Sequence, residues 1–194
     1  GYPEGWRTKV ASYALNRDYH LTIKEMLVTL AERLKQHTPQ LKFRAFTDSA
    51  PLAEKSYARR AGLGWIGRNS LLVTPEYGSF VLLGELIVNE EVDEYDAPRE
   101  FIGCGECRRC IEACPNGAIS EHRFIDTRRC ISCRTIEPMA GGEQIDLDGW
   151  IFGCDACQSV CPYNQRVKLH TNPNFDPIVD PLSLDCDTWQ SMTE

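Results

Sequence analysis

The sequence of 194 residues has no apolar run long enough to span a membrane. It also has no low-complexity tract and nothing that resembles a secretory signal. Basic residues are not in excess, because 28 Asp and Glu outweigh 21 Lys and Arg and leave a net charge of -7. This acidic balance argues against broad, non-specific binding of nucleic acid. We therefore expect a globular protein with no membrane association, and we expect a monomer.

Cysteine, in contrast, is abundant, and seven of the ten cysteines fall in two runs with related spacing. The runs are Cys104-x2-Cys107-x2-Cys110-x3-Cys114-Pro115 and Cys154-x2-Cys157-x3-Cys161-Pro162. The first run has the bacterial ferredoxin spacing, in which three close cysteines bind one iron–sulfur cluster and the fourth binds another. The second run repeats that spacing but lacks a close counterpart of Cys104, so Cys130 or Cys133 must complete its ligand set.

The crossed pattern predicts two 4Fe–4S clusters. One is held by Cys104, Cys107, Cys110 and Cys161, and the other by Cys114, Cys154, Cys157 and either Cys130 or Cys133. Structural zinc is the main alternative, but zinc usually takes paired two-cysteine knuckles that fit this spacing poorly. A disulfide scaffold is disfavoured because a chain of this length can bury a core without crosslinks. Reduced cysteines and clusters indicate the cytoplasm, and isolated Cys186 is interpreted as a free thiol.

Hydrophobic periodicity predicts the elements that precede the cysteines. From His20 to His37, apolar residues recur at three- and four-residue steps, which predicts a helix whose apolar stripe packs in the core. That stripe consists of Ile23, Met26, Leu27, Leu30 and Leu34. Further along, the pattern predicts strands at 42–47, 70–74 and 79–89, the last buried on both faces, and a helix at 52–61.

Two features of this part carry possible chemistry. Asp48 or Ser49 could cap the 52–61 helix, and Pro51 suits its first turn. The glycines at 62, 64 and 67 form a GxGxxG string. The dinucleotide fingerprint needs a strand before the glycines and a helix after them. Here a helix precedes and a strand follows, so we reject dinucleotide binding and interpret the loop as one that lets the backbone approach a large group closely.

The chain divides into three parts on composition. Residues 1–100 form a first domain that ends in an acidic linker, residues 101–165 hold the clusters, and 166–194 form an irregular, proline-containing tail. The sequence begins with Gly1 rather than Met and ends in a polar segment, so we expect it to be part of a longer protein.

Several stretches beyond the cysteines resemble the epoxyqueuosine reductase family. They are YALNRDYH, DSAPLAEK, ARRAGLGWIGRNSLLVTPEYGSFVLLGELIVN, RCISCRTIE and GWIFGCDACQSVCPYNQ, in the family's order, from Val10 to Gln165. The resemblance implies an α+β protein. A cobalamin-binding α/β domain like that of reductive dehalogenases, incomplete here, is followed by a bacterial ferredoxin-like domain with two 4Fe–4S clusters.

The resemblance also implies a function. Family members reduce epoxyqueuosine to queuosine at the wobble position of tRNA, with electrons passing from a low-potential donor through the two clusters to cobalamin. The implied partner is therefore a tRNA anticodon stem-loop bearing epoxyqueuosine. The family's further N-terminal segment and C-terminal helical repeats are not matched by this sequence.

The resemblance assigns roles residue by residue. Asp48 is the implied proton donor, a role that requires a pKa high enough to hold a proton near neutral pH. The implied cobalamin contacts are Lys55, Trp65, Arg68, Asn69, Ser70, Leu72, Ser132 and Glu137. Three positions depart from the family pattern: Ser12 and Lys55 where Arg is common, and Cys133 where Tyr is frequent. The last departure favours Cys130 as the cluster ligand and leaves Cys133 spare.

Two other functions fit parts of the sequence. A reductive dehalogenase would use the same cofactors on another substrate. A plain electron-transfer protein would hold clusters without cobalamin, but the residues before the clusters, with Asp48 and the glycine loop, argue against it.

Overall fold

A computed structural model describes residues 9–137, 144–165 and 167–178 of the chain. Cys186, interpreted above as a free thiol, lies outside these residues. The strands are β1 (Lys9–Val10), β2 (Phe43–Phe46), β3 (Trp65–Ile66), β4 (Leu72–Val73), β5 (Glu85–Val88) and β6 (Trp150–Phe152). The α-helices are α1 (Tyr19–Lys35), α2 (Glu54–Arg60), α3 (Arg109–Glu112), α4 (Ile131–Ile136) and α5 (Ala156–Ser159). Within the described residues, no helix is long and apolar enough to cross a membrane.

Helix α1 confirms the predicted helix, and its start is fixed by a side-chain cap. The Asp18 carboxylate accepts a hydrogen bond from the backbone amide of His20 at 2.8 Å, which satisfies one of the free amides of the first turn. Basic side chains occupy the last turn, where they interact favourably with the helix dipole.

The prediction that the apolar stripe of α1 is core was only partly right. Ile23 and Leu27 are half-buried and pack against Gly84, where an added Cβ would overlap them. Met26 and Leu30 are each 48% exposed and Leu34 is 42% exposed, so that half of the stripe is not core. Periodicity reports that a helix is amphipathic, but not how much of its apolar face a neighbouring element covers.

Strand β2 confirms the predicted 42–47 strand and pairs antiparallel with β5 along four residue pairs, Phe43 opposite Val88 to Phe46 opposite Glu85. The prediction for 79–89 was wrong in two respects. The strand is confined to Glu85–Val88, and Ile87 is 49% exposed, so it is not buried on both faces. At the Phe43 end of the pair, the side-chain oxygen of Asn89 accepts a hydrogen bond from the Lys42 backbone amide.

Helix α2 begins later than predicted and has no side-chain cap, because its N-cap residue is Ala53. Neither Asp48 nor Ser49 caps it, and Pro51 lies outside its first turn. The order of elements around the glycines is confirmed, since α2 precedes them and strand β4 follows. An additional short strand, β3, lies between Gly64 and Gly67 and pairs antiparallel with β4. Gly64 is required by the hairpin itself, because a Cβ there would overlap the carbonyl oxygen of Val73.

Strands β1 and β6 pair in parallel and join the start of the chain to the cysteine-rich segment. A small core forms at this strand pair, where buried Val10 and Leu15 pack against Ile151 and Phe152 of β6. The predicted first and second domains are therefore linked by a strand pair as well as by the chain. The division near residue 100 stays a prediction.

Candidate functional site

The first cysteine set surrounds one cavity. Cys104, Cys107, Cys110 and Cys161 all line it, together with the loop residues Arg68 and Asn69. A turn closed by the Cys107 amide and the Cys104 carbonyl at 3.0 Å brings the first two together, and α3 carries the third. Cys161 arrives from the second run, immediately before the 3-10 turn that begins at Pro162.

The second set forms its own group of thiols, which lies near the first. Cys154 interacts with Cys130 and Cys114, and Cys157 interacts with Cys154, with Cys110 of the first set and with Cys130. Burial, together with neighbouring thiols, raises the pKa of the Cys154 thiol to about 11 and that of the Cys157 thiol to about 12. Thiols with such high pKa values stay protonated near neutral pH unless a nearby cation stabilises the thiolate. Bound iron would supply that cation.

Cys130 and Cys133 lie together at the start of α4. Cys130 is the residue before the helix, and its thiol is hydrogen-bonded to that of Cys133. Burial, followed by the neighbouring Cys130 thiol, raises the pKa of Cys133 to about 11. Cys130 is the member of this pair that interacts with both Cys154 and Cys157, which favours it as the fourth ligand. The ligand assignments stay predictions.

The donor chemistry and spacing of both sets suit clusters. Around one zinc, with Zn–S bonds of about 2.3 Å, four thiolate sulfurs lie roughly 4 Å apart. In the described part of the chain, no three His, Cys, Asp or Glu side chains converge to hold a single metal ion. Four cysteines that each bind a different iron of one cluster do not need such close convergence.

Asp48 lies at the C-terminal end of β2 in a left-handed backbone conformation, with φ of 50°. Aspartate tolerates this conformation better than most residues. Its carboxylate accepts a hydrogen bond from the Tyr19 hydroxyl at 2.6 Å, and the His20 ring lies 3.9 Å away. Its backbone amide donates to the Glu54 carboxylate at 2.7 Å. The Asp48 side chain is 65% exposed, so it is held in place and also accessible.

Tyr13 packs against Tyr19, the residue that holds Asp48. Its ring packs edge-on against Tyr19 with centroids 5.8 Å apart. Burial, followed by the charges of Asp155, Asp48 and Glu137, raises the pKa of Tyr13 to about 12. The charges of two of the predicted cobalamin contacts, Glu137 and Lys55, also act on Cys133. Ser132 lies in α4, next to Cys133 in the sequence.

The predicted contacts on the glycine loop are directed toward the cysteine-rich segment. The Arg68 guanidinium donates to the Gly105 carbonyl at 2.9 Å, and the Ser70 hydroxyl donates to the Arg123 carbonyl at 2.6 Å. Asn69 donates to the Cys157 sulfur at 3.8 Å. These side chains therefore anchor the loop to the cluster segment.

The other two loop residues contribute packing. Trp65 lies against Phe101 and Tyr163, with ring centroids 5.4 and 4.7 Å away. Leu72 is buried in β4, at 3% exposure. The assigned cobalamin contacts of this loop stay predictions.

Sequence reasoning missed a carboxyl pair beside Asp48. Burial raises the pKa of Glu85 to about 7, and a hydrogen bond to Glu54, the charge of Glu54 and that of Asp48 add to the shift. It also missed Tyr19 as the hydrogen-bond donor to Asp48. Nothing in the local spacing marked these partners, because Asp48 and Tyr19 are 29 residues apart and Glu54 meets Glu85 only through the β2–β5 pairing.

Comparisons with known proteins agree with this geometry. Residues 103–164 match a family model described as a 4Fe–4S double cluster binding domain, and residues 3–49 match one described as epoxyqueuosine reductase QueG. The epoxyqueuosine reductase of Escherichia coli K12 is 45% identical over 172 residues, covering 87% of this chain and 45% of the relative. That of Synechocystis is 41% identical over 193 residues, covering 96% of this chain and 65% of the relative.

Solved structures give the same result. A crystal structure of epoxyqueuosine reductase with an epoxyqueuosine-modified tRNA-Tyr stem loop matches with a TM-score of 0.79 and 34% identity, over 90% of this chain and 46% of that one. The enzyme from Streptococcus thermophilus matches with a TM-score of 0.75 and 34% identity, over 90% of this chain and 48% of that one. A catabolic reductive dehalogenase shares the fold, with a TM-score of 0.51 and 21% identity over 66% of this chain.

The fold and the two cysteine sets define an iron–sulfur protein in which a double-cluster segment is joined to the fold found in reductive dehalogenases. Mixed helix and strand content places it in the α+β class. Within that class, the chain belongs to the epoxyqueuosine reductase family. It spans about half to two thirds of the length of the curated relatives it matches, from 45% to 65%.

Proposed function

We propose that this chain is part of an enzyme that reduces epoxyqueuosine in tRNA to queuosine. The observation that carries the proposal is the accessible Asp48 carboxyl, held by the Tyr19 hydroxyl, in a chain that also carries two cysteine sets and whose relatives are epoxyqueuosine reductases. One of those relatives was crystallised with an epoxyqueuosine-modified tRNA stem loop, which supports tRNA as the partner.

The reaction defines what the site must supply. Conversion of the epoxide to the alkene consumes two electrons and two protons and releases the oxygen as water. Bound cobalamin supplies, in its most reduced state, a strong nucleophile for the epoxide carbon, and the clusters supply the low-potential electrons. The protein's own residues hold the substrate and deliver the protons.

Asp48 is the proposed proton donor to the epoxide oxygen. Its carboxyl group is accessible, and the Tyr19 hydroxyl fixes one of its oxygens at 2.6 Å. The Glu85 carboxyl is the proposed source of the second proton, because burial and the neighbouring Glu54 and Asp48 raise its pKa to about 7.

The proposed cobalamin contacts outside the glycine loop lie in or directly after two helices, α2 and α4. Lys55 follows it in α2, and Ser132 and Glu137 lie in and directly after α4. A mixture of ammonium, hydroxyl and carboxylate groups suits the carboxamide side chains of cobalamin, which both donate and accept hydrogen bonds. The glycine loop 64–72 contributes backbone groups. A low-potential electron donor, a monomeric state and a cytoplasmic location complete the proposal.

The test is an anaerobic turnover assay. The chain, in a form that extends to the length of its relatives, is given a low-potential reductant and an epoxyqueuosine-bearing stem-loop, with and without cobalamin. Mass spectrometry of the nucleosides should show queuosine only with cobalamin, and Asp48→Asn should lower turnover at least about 100-fold, the usual contribution of a general acid. No conversion by protein that holds both clusters and cobalamin would contradict the proposal and favour a dehalogenase-like substrate.

A further inference from the structure

The side chain of Asn69 lies between the two cysteine sets. It lines the cavity formed by Cys104, Cys107, Cys110 and Cys161. At the same time its amide nitrogen lies 3.8 Å from the sulfur of Cys157, which belongs to the other set. Asn69 is 7% exposed, so the amide is shielded from water and needs partners within the protein.

The loop fixes which end of the amide faces the sulfur. The Asn69 side-chain oxygen accepts a hydrogen bond from the Leu71 backbone amide at 3.4 Å, which leaves the NH2 group for Cys157. Gly67 makes this orientation possible, since an added Cβ there would lie 2.7 Å from that oxygen. The neighbouring anchors from Arg68 and Ser70 hold the loop on the cluster segment.

A fixed N–H donor at a cluster ligand has a defined electrostatic effect. Reduction of a 4Fe–4S cluster adds one negative charge that is shared with its thiolates. A hydrogen bond to a thiolate therefore stabilises the reduced state more than the oxidised state and raises the reduction potential. The effect is larger where water is excluded, and Asn69 is buried.

The set that contains Cys157 is also the one nearer the proposed reaction site. Cys130 interacts with Cys157 and is hydrogen-bonded to Cys133, on which the charge of Lys55 acts. Lys55 lies in α2, which follows Asp48. An electron that settles on this cluster is therefore closer to the proposed cobalamin contacts than one on the other cluster.

We propose that Asn69 is a positioning residue that raises the reduction potential of the Cys157-bearing cluster relative to the other, and so directs electrons toward the Asp48 site. This inference rests on the proposed ligand sets, and its direction of transfer rests on the proposed function. Asn69 carries out no chemistry on the substrate. It acts through the Cys157 thiolate.

The experiment measures both cluster potentials directly. Anaerobically reconstituted protein is titrated with a redox-mediated reductant, and the two clusters are followed by electron paramagnetic resonance and visible absorption. Asn69→Leu removes the amide donor at similar volume. Asn69→Asp keeps the oxygen that accepts from Leu71 but replaces the donor with a charge. Ser79→Ala is the matched control, because Ser79 is also buried and bonded to the cluster segment through Gln158 and Asn164.

In Asn69→Leu, we expect the equilibrium constant for reducing the Cys157-bearing cluster to fall about tenfold. This corresponds to a potential about 59 mV lower for a one-electron couple. It should fall further in Asn69→Asp, with the other cluster unmoved and the iron content of both variants unchanged. Ser79→Ala should leave both potentials at their original values. Unchanged potentials in both Asn69 variants, or equal shifts of both clusters, would overturn the inference.

Loss of a cluster from both Asn69 variants, but not from Ser79→Ala, would also overturn it, since Asn69 would then act in assembly. The outcome is independent of the turnover assay. Protein that shows the selective shift but forms no queuosine would contradict the proposed function and leave the effect of Asn69 on the potential intact.

Discussion

The carboxyl pair beside Asp48 makes the stability of this fold depend on pH in a predictable direction. Glu85 in β5 is hydrogen-bonded to Glu54, and its burial, this hydrogen bond and nearby negative charge raise its pKa from 4.5 to about 7. In the unfolded chain Glu85 releases its proton near pH 4.5. Between these pH values the folded state therefore binds more protons, and its stability falls as pH rises.

The magnitude follows from the size of the shift. Each pKa unit corresponds to about 1.4 kcal/mol. The pair is partly exposed, so solvent screening reduces the effect, and we expect about 1–2 kcal/mol of stability to be lost between pH 5 and pH 8. For a chain of this size that is a shift in Tm of roughly 2–8 °C.

Glu85→Gln tests this reasoning. Glutamine keeps the shape of the side chain and can still donate a hydrogen bond to Glu54, but it cannot ionise. The variant should therefore not lose stability through this group as the pH rises. Tm is measured by circular dichroism on anaerobic, cluster-loaded protein. The Tm of the variant minus that of wild type should be roughly 2–8 °C larger at pH 8 than at pH 5. Glu32→Gln, at an exposed ion pair with Lys35, should show no such gain. A variant whose Tm difference from wild type is constant across this range would refute the argument.

Two further substitutions test local geometry. Gly64→Ala should destabilise the protein by at least about 1–3 kcal/mol, seen as a lower Tm, because its Cβ would overlap the Val73 carbonyl; a Tm equal to wild type would contradict this hairpin geometry. Tyr19→Phe removes the 2.6 Å hydrogen bond to Asp48, and should reduce epoxyqueuosine turnover about three- to tenfold with little change in Tm. Full activity in that variant would remove Tyr19 from the site.

The sequence predicted those features that depend on local spacing. The cysteine runs, helix α1, strand β2 and the order of elements around the glycines all arise from patterns within about 20 residues. Pattern reasoning failed where burial depends on distant elements. Leu30 and Ile87 are apolar and fit the patterns that predicted buried faces, yet both are about half exposed. Other elements cover only one face of the helix and of the strand that contain them.

The candidate site shows the same limit. Asp48 and its role were implied by resemblance, but its hydrogen-bond donor Tyr19 and the Glu54–Glu85 pair arise only when α1, α2 and β5 meet. The contact of Asn69 with Cys157 joins residues 88 positions apart and has no local signal. The side chains of Arg68, Asn69 and Ser70 are bonded to the cluster segment, and their predicted contacts with cobalamin stay predictions.

The most direct test of the account is a count of iron and sulfide in anaerobically reconstituted protein, with Mössbauer spectroscopy to identify the clusters. The account predicts two 4Fe–4S clusters, about eight irons per chain, in wild type. Cys104→Ala and Cys130→Ala should each remove a different cluster and leave about four irons, whereas Cys133→Ala should retain both. Full loading of Cys130→Ala with loss of a cluster from Cys133→Ala would contradict the assignment of the fourth ligand. A single cluster in wild type, or zinc in its place, would contradict the account as a whole.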